Sequence, residues 1–138
     1  MQPSQITVLL VEDDDVDVMA VQRAFSRMRL LNPISVARDG LEALEMLKEG
    51  RIPRPYLILL DLNMPRMNGL EFLEALREDE RFRDSIVFVL TTSNSDQDKW
   101  AAYQHNIAGY IVKENVGEEF LNALNMLDRY WRVVEMPG

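Results

Sequence analysis

Five short apolar runs, each followed by a stretch of helical periodicity, leave this 138-residue chain few folds to choose from. The runs are "ITVLLV" (6–11), "ISVA" (34–37), "YLILL" (56–60), "SIVFVLT" (85–91) and "AGYIVK" (108–113). They are short and rich in Val and Ile, which favour a pleated strand. The third is apolar at every position, as a strand covered on both faces must be. Between the runs the spacing turns helical. Val18, Val21, Phe25 and Met28 share one face of a first helix, which Asn32-Pro33 is expected to end. In "DGLEALEMLKEG" (39–50), Asp39 with Glu42 three residues on forms a capping-box pattern, and Gly50 is the stop. Asn68 and Glu71 repeat that pattern ahead of "GLEFLEALRE". Ser95 can cap a helix through "DKWAAYQH". Phe120, Leu124, Leu127 and Trp131 stripe a last helix over 118–131.

Strict alternation of five strands and five helices favours a parallel sheet with helices on both faces, because right-handed crossovers pack that way. Nothing marks a domain boundary, so 1–138 reads as one domain of ordinary size. The tail "RVVEMPG" (132–138) reads as an arm leaving its body.

Charge and composition narrow the function. A net charge of −8 argues against a DNA-binding surface, which needs clustered Lys and Arg, and against anionic membranes. No apolar run is long enough to span a bilayer, and "MQPSQITVLLVEDDD" lacks the pattern of a secretory signal. The absence of cysteine excludes disulfides and thiolate metal sites, and makes a cytoplasmic address the expectation.

The polar residues gather at the strand ends. In an open parallel sheet, ligands bind outside the carboxyl ends of the strands. The first strand ends in Glu12, Asp13, Asp14 and Asp15, the third in Asp61, the fourth in Thr91, Thr92 and Ser93, and the fifth in Lys113. Taken singly, each has an ordinary explanation: a strand-end cap for Asp61, a helix N-terminus for the acids, a solvated lysine, a β-forming threonine. Together they would converge in one crevice. Two like charges about 4 Å apart repel by ~4 kcal/mol at an effective dielectric of ~20. Either a carboxylate takes up a proton or a cation enters. Hard oxygen ligands point to Mg²⁺, or Mn²⁺ in its place. Asp13 and Asp61 are the best direct ligands, with Glu12 or Asp14 acting through water. A carboxylate beside a divalent cation and a lysine can serve as a nucleophile toward phosphorus. The metal and Lys113 would then neutralise charge on the phosphoryl oxygens, and Thr91 would offer one of them a hydroxyl. Pro65 and Gly69 shape the loop behind Asp61.

The stretches "VLLVEDD", "LILLDLNMPRMNGLEFL", "VFVLTTS" and "AGYIVK" resemble the receiver domains of two-component response regulators, the CheY-like family, over essentially the whole chain. The resemblance implies a flavodoxin-like sheet of order 2-1-3-4-5. It implies Asp61 as the phosphoacceptor, Glu12 and Asp13 as the acidic pair, and the Asn63 backbone carbonyl as a further metal contact. Thr91 matches the switch hydroxyl, Tyr110 the switch aromatic and Lys113 the phosphate-binding lysine. A sensor histidine kinase would supply the phosphoryl group. Phosphorylation would draw Thr91 toward the site, let Tyr110 turn inward, and alter the surface of the fourth helix, fifth strand and fifth helix. One departure stands out: where the family usually has proline after the lysine, this chain has Glu114, so that turn is expected to be rearranged.

"LTTSN", the Glu after the lysine and "RYWRVVEMP" are most similar to stand-alone regulators paired with phytochrome-type kinases. No effector module follows, so output by protein contact is expected. A second apolar set on the last helix, Leu121, Met126 and Tyr130, continued by Val133, Val134 and Met136, leads to the expectation of a homodimer through that helix or the tail. Two other classes compete. A phosphatase or phosphomutase using an aspartyl-phosphate would carry D-x-D, but Asp61-Leu62-Asn63 lacks the second acid. A degenerate receiver would leave every chemical position idle.

Overall fold

The computed structural model describes residues 6–113, together with Asn122, Asn125, Met126, Arg129, Tyr130, Arg132 and Val133. The elements alternate along the chain: β1 (Thr7–Val11), α1 (Asp15–Arg27), β2 (Ile34–Ala37), α2 (Gly40–Lys48), β3 (Tyr56–Leu60), α3 (Gly69–Glu78), β4 (Ile86–Thr91), α4 (Asp96–Tyr103) and β5 (Gly109–Val112). The strands form one sheet in the order β2-β1-β3-β4-β5, and every neighbouring pair is parallel. This is the doubly wound α/β, flavodoxin-like arrangement. Among the described residues four helices are continuous, and the seven isolated positions between 122 and 133 are helical as well. Most of the last helix expected over 118–131 lies outside the described residues. So do its stripe Phe120, Leu124, Leu127 and Trp131, the turn at Glu114, and the tail beyond Val133.

Alternating side chains of the strands feed two cores. Leu9, Val11, Ile58, Leu60, Val87 and Val89 face α2, α3 and α4, where Leu44, Leu47, Phe72, Leu73, Leu76 and Ala102 meet them. Val8, Leu10, Leu57, Leu59, Phe88 and Leu90 face α1 and receive Val18, Val21, Ala24 and Phe25. All five residues of β3 are buried, as an uninterrupted apolar run requires. Each such side chain contributes about 1.5–3 kcal/mol relative to exposure. No described helix is long and apolar enough to cross a membrane.

Helix ends differ in part from the sequence expectation. α1 stops at Met28, before Asn32-Pro33 is reached. Arg29 takes φ +56°, the Leu30 N–H donates to the Phe25 carbonyl at 2.9 Å, and the Arg29 N–H to the Ser26 carbonyl at 3.1 Å. These are the two bonds of a Schellman motif, closed here by arginine where glycine is usual. Gly50, at φ +71°, ends α2 in the same way, with the Arg51 N–H on the Met46 carbonyl at 3.0 Å. The Asn68–Glu71 capping box is complete. The Asp39–Glu42 pair is half a box: the Glu42 N–H donates to Asp39, but the Glu42 carboxylate accepts from the Arg38 N–H. Tyr130 corrects the second apolar set. Its ring lies edge-on to Phe88 at 5.0 Å between centroids, against the sheet. On a helix it falls about a quarter-turn from the docking stripe, within reach of a long aromatic side chain. Met126 and Val133 of that set are exposed.

Arg77 joins the far ends of two strands. Its guanidinium donates to the carbonyls of Arg83 and Ser85, just before β4, and of His105 and Asn106, ahead of β5. Burial draws its pKa down, and the charge of Asp84 offsets part of that.

Candidate functional site

The register of the sheet assembles the site. Val11 of β1 pairs with Leu60 of β3, so the next residues, Glu12 and Asp61, leave the sheet side by side. The ladder runs one step further, with the Asp61 N–H donating to the Val11 carbonyl at 3.0 Å and the Glu12 N–H to the Ala37 carbonyl at 2.9 Å. Glu12 and Asp61 are both buried, whereas Asp13 is exposed. One carboxylate oxygen from each of Glu12, Asp13 and Asp61 lies within 4.8 Å of the other two.

The electrostatics of this cluster favour a cation. Burial pushes the Glu12 carboxyl up to about 7, against the opposing pull of Lys113 and with Asp61 adding to the rise. A carboxyl so placed needs a positive partner to hold its charge. Three hard oxygens with this spacing suit an octahedral ion whose ligands sit about 2.0–2.1 Å away, and they suit no soft metal. Asn63 follows in the loop, its N–H 3.4 Å from Asp61 Oδ1.

That loop is fixed from behind. A Cβ on Gly69 would sit 2.5 Å from the Asp61 carbonyl oxygen and 2.7 Å from Leu62 Cα, so only glycine permits this close approach. The Gly69 N–H donates to the Leu62 carbonyl, and the Gly40 N–H to the Met67 carbonyl, both at 3.0 Å. Arg66, at φ +62°, reaches from the same loop to the buried Asp39 with Nε–Oδ2 2.6 Å. Burial alone would raise the Asp39 pKa. Arg66 and the N–H groups opening α2 outweigh it and hold the carboxyl below the usual carboxylate range.

Thr91, at the end of β4, is fully buried. Two residues on, Ser93 donates through Oγ to Asp98 of α4 at 2.6 Å. The Tyr110 hydroxyl, from β5, donates to the Ser93 carbonyl at 2.9 Å, and the ring is half-buried. Burial raises the Tyr110 pKa, keeping the phenol protonated. Lys113 closes the site from the other edge. Its N–H donates to the Thr91 carbonyl at 2.7 Å, and its Nζ to Glu12 Oε1 at 2.7 Å and Asp17 Oδ2 at 2.9 Å. Burial works against the ammonium, but the two carboxylates and the charge of Asp61 more than offset it and hold its pKa above the usual lysine value.

Sequence reasoning singled out Glu12, Asp13, Asp61, Asn63, Thr91, Tyr110 and Lys113; the structure gathers Glu12, Asp13 and Asp61 with Lys113 on Glu12, sets Asn63 in the loop behind Asp61, and places Thr91 and Tyr110 on the neighbouring β4 and β5. It missed Asp17, Asp98 and the Asp39–Arg66 pair. A signal for Asp17 was present. Asp17, Val21 and Ala24 fall at i, i+4 and i+7, so the acid extends the buried line of α1 by one turn.

The signature of the response regulator receiver domain matches residues 8–125. The chain belongs to this family. The probable methanogenesis regulatory protein FilR2 of Methanothrix harundinacea is 36% identical over 127 residues, covering 90% of this chain and 82% of that protein. The response regulator Rcp1 of Synechocystis is 31% identical over 136 residues, covering 95% and 92%. The Mn²⁺-bound form of Rcp1 superposes with a TM-score of 0.86 at 30% identity, covering 96% and 99% of the two chains. The phosphorylated cyanobacterial phytochrome response regulator RcpA gives a TM-score of 0.87 at 28% identity, covering 97% and 99%. The receiver family thus accounts for both the sheet order and the acidic crevice. It makes this chain a two-component signalling protein of a kind that is phosphorylated on aspartate.

Proposed function

We propose that Asp61 is the phosphoacceptor of a response regulator served by a sensor histidine kinase of phytochrome type. One observation carries this reading: the Asp61 carboxylate leaves the central strand between Glu12 and Thr91, within the only three-acid cluster among the described residues that could hold a metal. An Asp61 carboxylate oxygen attacks phosphorus, the P–N bond to the kinase histidine breaks, and the imidazole leaves. Glu12, Asp13, Asp61 and the Asn63 backbone carbonyl would hold Mg²⁺, or Mn²⁺ in its place. Bound there, the cation supplies charge neutralisation for the phosphoryl oxygens. Thr91 offers one of those oxygens its hydroxyl and Lys113 its ammonium. Tyr110 couples the change to α4, β5 and a fifth helix. The chain catalyses its own phosphorylation and dephosphorylation and no other reaction, at a cytoplasmic address. The position two residues after Asp61 is Asn63, which disfavours a phosphatase with a second catalytic acid.

Acetyl phosphate with Mg²⁺ tests the assignment by intact-protein mass. Wild type should gain one phosphoryl group per chain. Asp61→Asn should gain none and stay folded, because an amide is nearly isosteric but not nucleophilic. Equal labelling of the two would remove Asp61 from the role, and multiple turnover would favour an enzyme.

The same reading includes a homodimer through the last helix or the arm at 132–138, supported by the exposed Met126 and Val133 on that helix. Light scattering should find twice the chain mass for the full sequence and a monomer for a chain ending at Tyr130. A monomer in both, phosphorylated or not, would end the dimer reading.

A further inference from the structure

Two consecutive residues at the head of α2 hold two consecutive residues of the loop that follows Asp61. The Gly40 N–H donates to the Met67 carbonyl at 3.0 Å. The Arg66 Nε donates to Asp39 Oδ2 at 2.6 Å. Asp39 divides its carboxylate between two tasks, since Oδ1 accepts from the Glu42 N–H at 3.0 Å and caps α2. The approach is close: a Cβ on Gly40 would lie 2.7 Å from Met67 Cγ and 3.0 Å from the Met67 carbonyl oxygen. The ends of the loop are fixed separately, because Leu62 is buried and the Gly69 N–H closes onto its carbonyl. Between them Asn63, Pro65 and Arg66 are exposed. Among the described residues, the bond from Arg66 to Asp39 is the one hydrogen bond that ties residues 63–66 to a distant part of the chain. Arg66 makes it from a left-handed backbone, φ +62°, which glycine adopts more readily than arginine. Glycine would suit the turn but bring no guanidinium.

We propose that Arg66 is a positioning residue: its ion pair with Asp39 latches the loop carrying Asn63 to α2, and so holds the Asn63 carbonyl ready for the cation. The proposal rests on the reading of Glu12, Asp13, Asp61 and the Asn63 carbonyl as the metal site. A ligand on an untethered loop must be ordered as the cation binds, and that ordering costs affinity. A loop already fixed has less freedom to lose. Mg²⁺ demands near-ideal octahedral geometry, so it responds to a misplaced oxygen. Arg66 acts on the site only through the backbone between it and Asn63. The ordinary role of such a pair, an exposed arginine neutralising a buried acid, predicts a different outcome at the metal. On charge alone, removing Arg66 should strengthen the binding of a divalent cation and removing the Asp39 charge should weaken it. Loss of the latch weakens it in both cases.

The test titrates Mn²⁺ into the full chain and reads the free ion by electron paramagnetic resonance. Asp39→Asn keeps a side-chain oxygen for the helix cap. Arg66→Gln and Asp39→Asn should each bind about fivefold more weakly, below the ~10–100-fold range for partners bonded directly to a ligand, because the latch acts from three residues away. The double variant should bind no more weakly than either single one, since all three lack the same bond. In the metal-free protein, amide hydrogen exchange at 63–67 should quicken in Arg66→Gln. Arg66→Gln binding as tightly as wild type, or more tightly, would overturn the proposal, and that variant decides alone if Asp39→Asn does not fold. So would losses that multiply in the double variant, or a weaker Arg66→Gln whose loop exchange is unchanged. A wild type that takes up no Mn²⁺ would defeat the metal reading first, and the latch with it.

Discussion

The Tyr110 hydroxyl holds the Ser93 carbonyl at 2.9 Å, so the aromatic of β5 and the loop leaving β4 are one mechanical unit. Ser93 passes the connection to α4 through Asp98. Thr91, at the end of β4 two residues before Ser93, is tied to the same loop, its Oγ1 accepting from the Ser93 N–H at 3.4 Å. Such an element can exist in two arrangements that a phosphoryl group biases.

Thr91→Ala should therefore be phosphorylated but fail to transmit the event. Hydrogen exchange over residues 92–112 is the readout. Phosphorylation should change it in wild type and leave it unchanged in Thr91→Ala. An identical response in both would break the proposed coupling.

Mg²⁺ should stabilise the protein by relieving repulsion among Glu12, Asp13 and Asp61. A ligand that binds only the folded state adds ~2.7 kcal/mol at about 100 times its dissociation constant. Asp13 is the exposed member, so Asp13→Ala should leave the metal-free melting temperature nearly unchanged and remove most of the Mg²⁺-dependent rise. No rise in wild type would mean that the cluster is not a metal site.

The Asp39–Arg66 pair predicts a specific acid sensitivity. The folded protein holds Asp39 below its unfolded pKa, so the stability it contributes is present above about pH 4 and is lost as pH falls through the lower folded value. Arg66→Gln leaves the buried carboxyl without its cation, which raises the folded pKa. The acid-unfolding midpoint should move to higher pH, with a small accompanying loss of stability at pH 7, because the Arg66 side chain is 61% exposed and the pair is screened by solvent. Circular dichroism across pH 2–7 would show it, and superimposable acid transitions would refute it.

Much of this was legible in the sequence because the signals were local. Short apolar runs and a 3.6-residue period placed the described strands and helices, and Asn68 with Glu71 placed a helix start to the residue. Strand order was not local: it came from a family resemblance, and the register that sets Glu12 beside Asp61 needed the folded sheet. The end of α1 was misplaced because a Schellman closure at Arg29 gives no signal when the left-handed residue is not glycine. Asp17 was not singled out, since its partner lies 96 positions away. Tyr130 was assigned to an outward set because its quarter-turn offset ignores how far a phenol ring extends.

Arg77 gives the sheet a fixed end and a free one. Its single guanidinium secures the segments entering β4 and β5 to α3, at the edge opposite the chemistry. The two strands behave like reeds clamped at the root, with Thr91 and Lys113 at their tips. A push at the crevice then bends the tips and the loops they carry, while the roots stay in place.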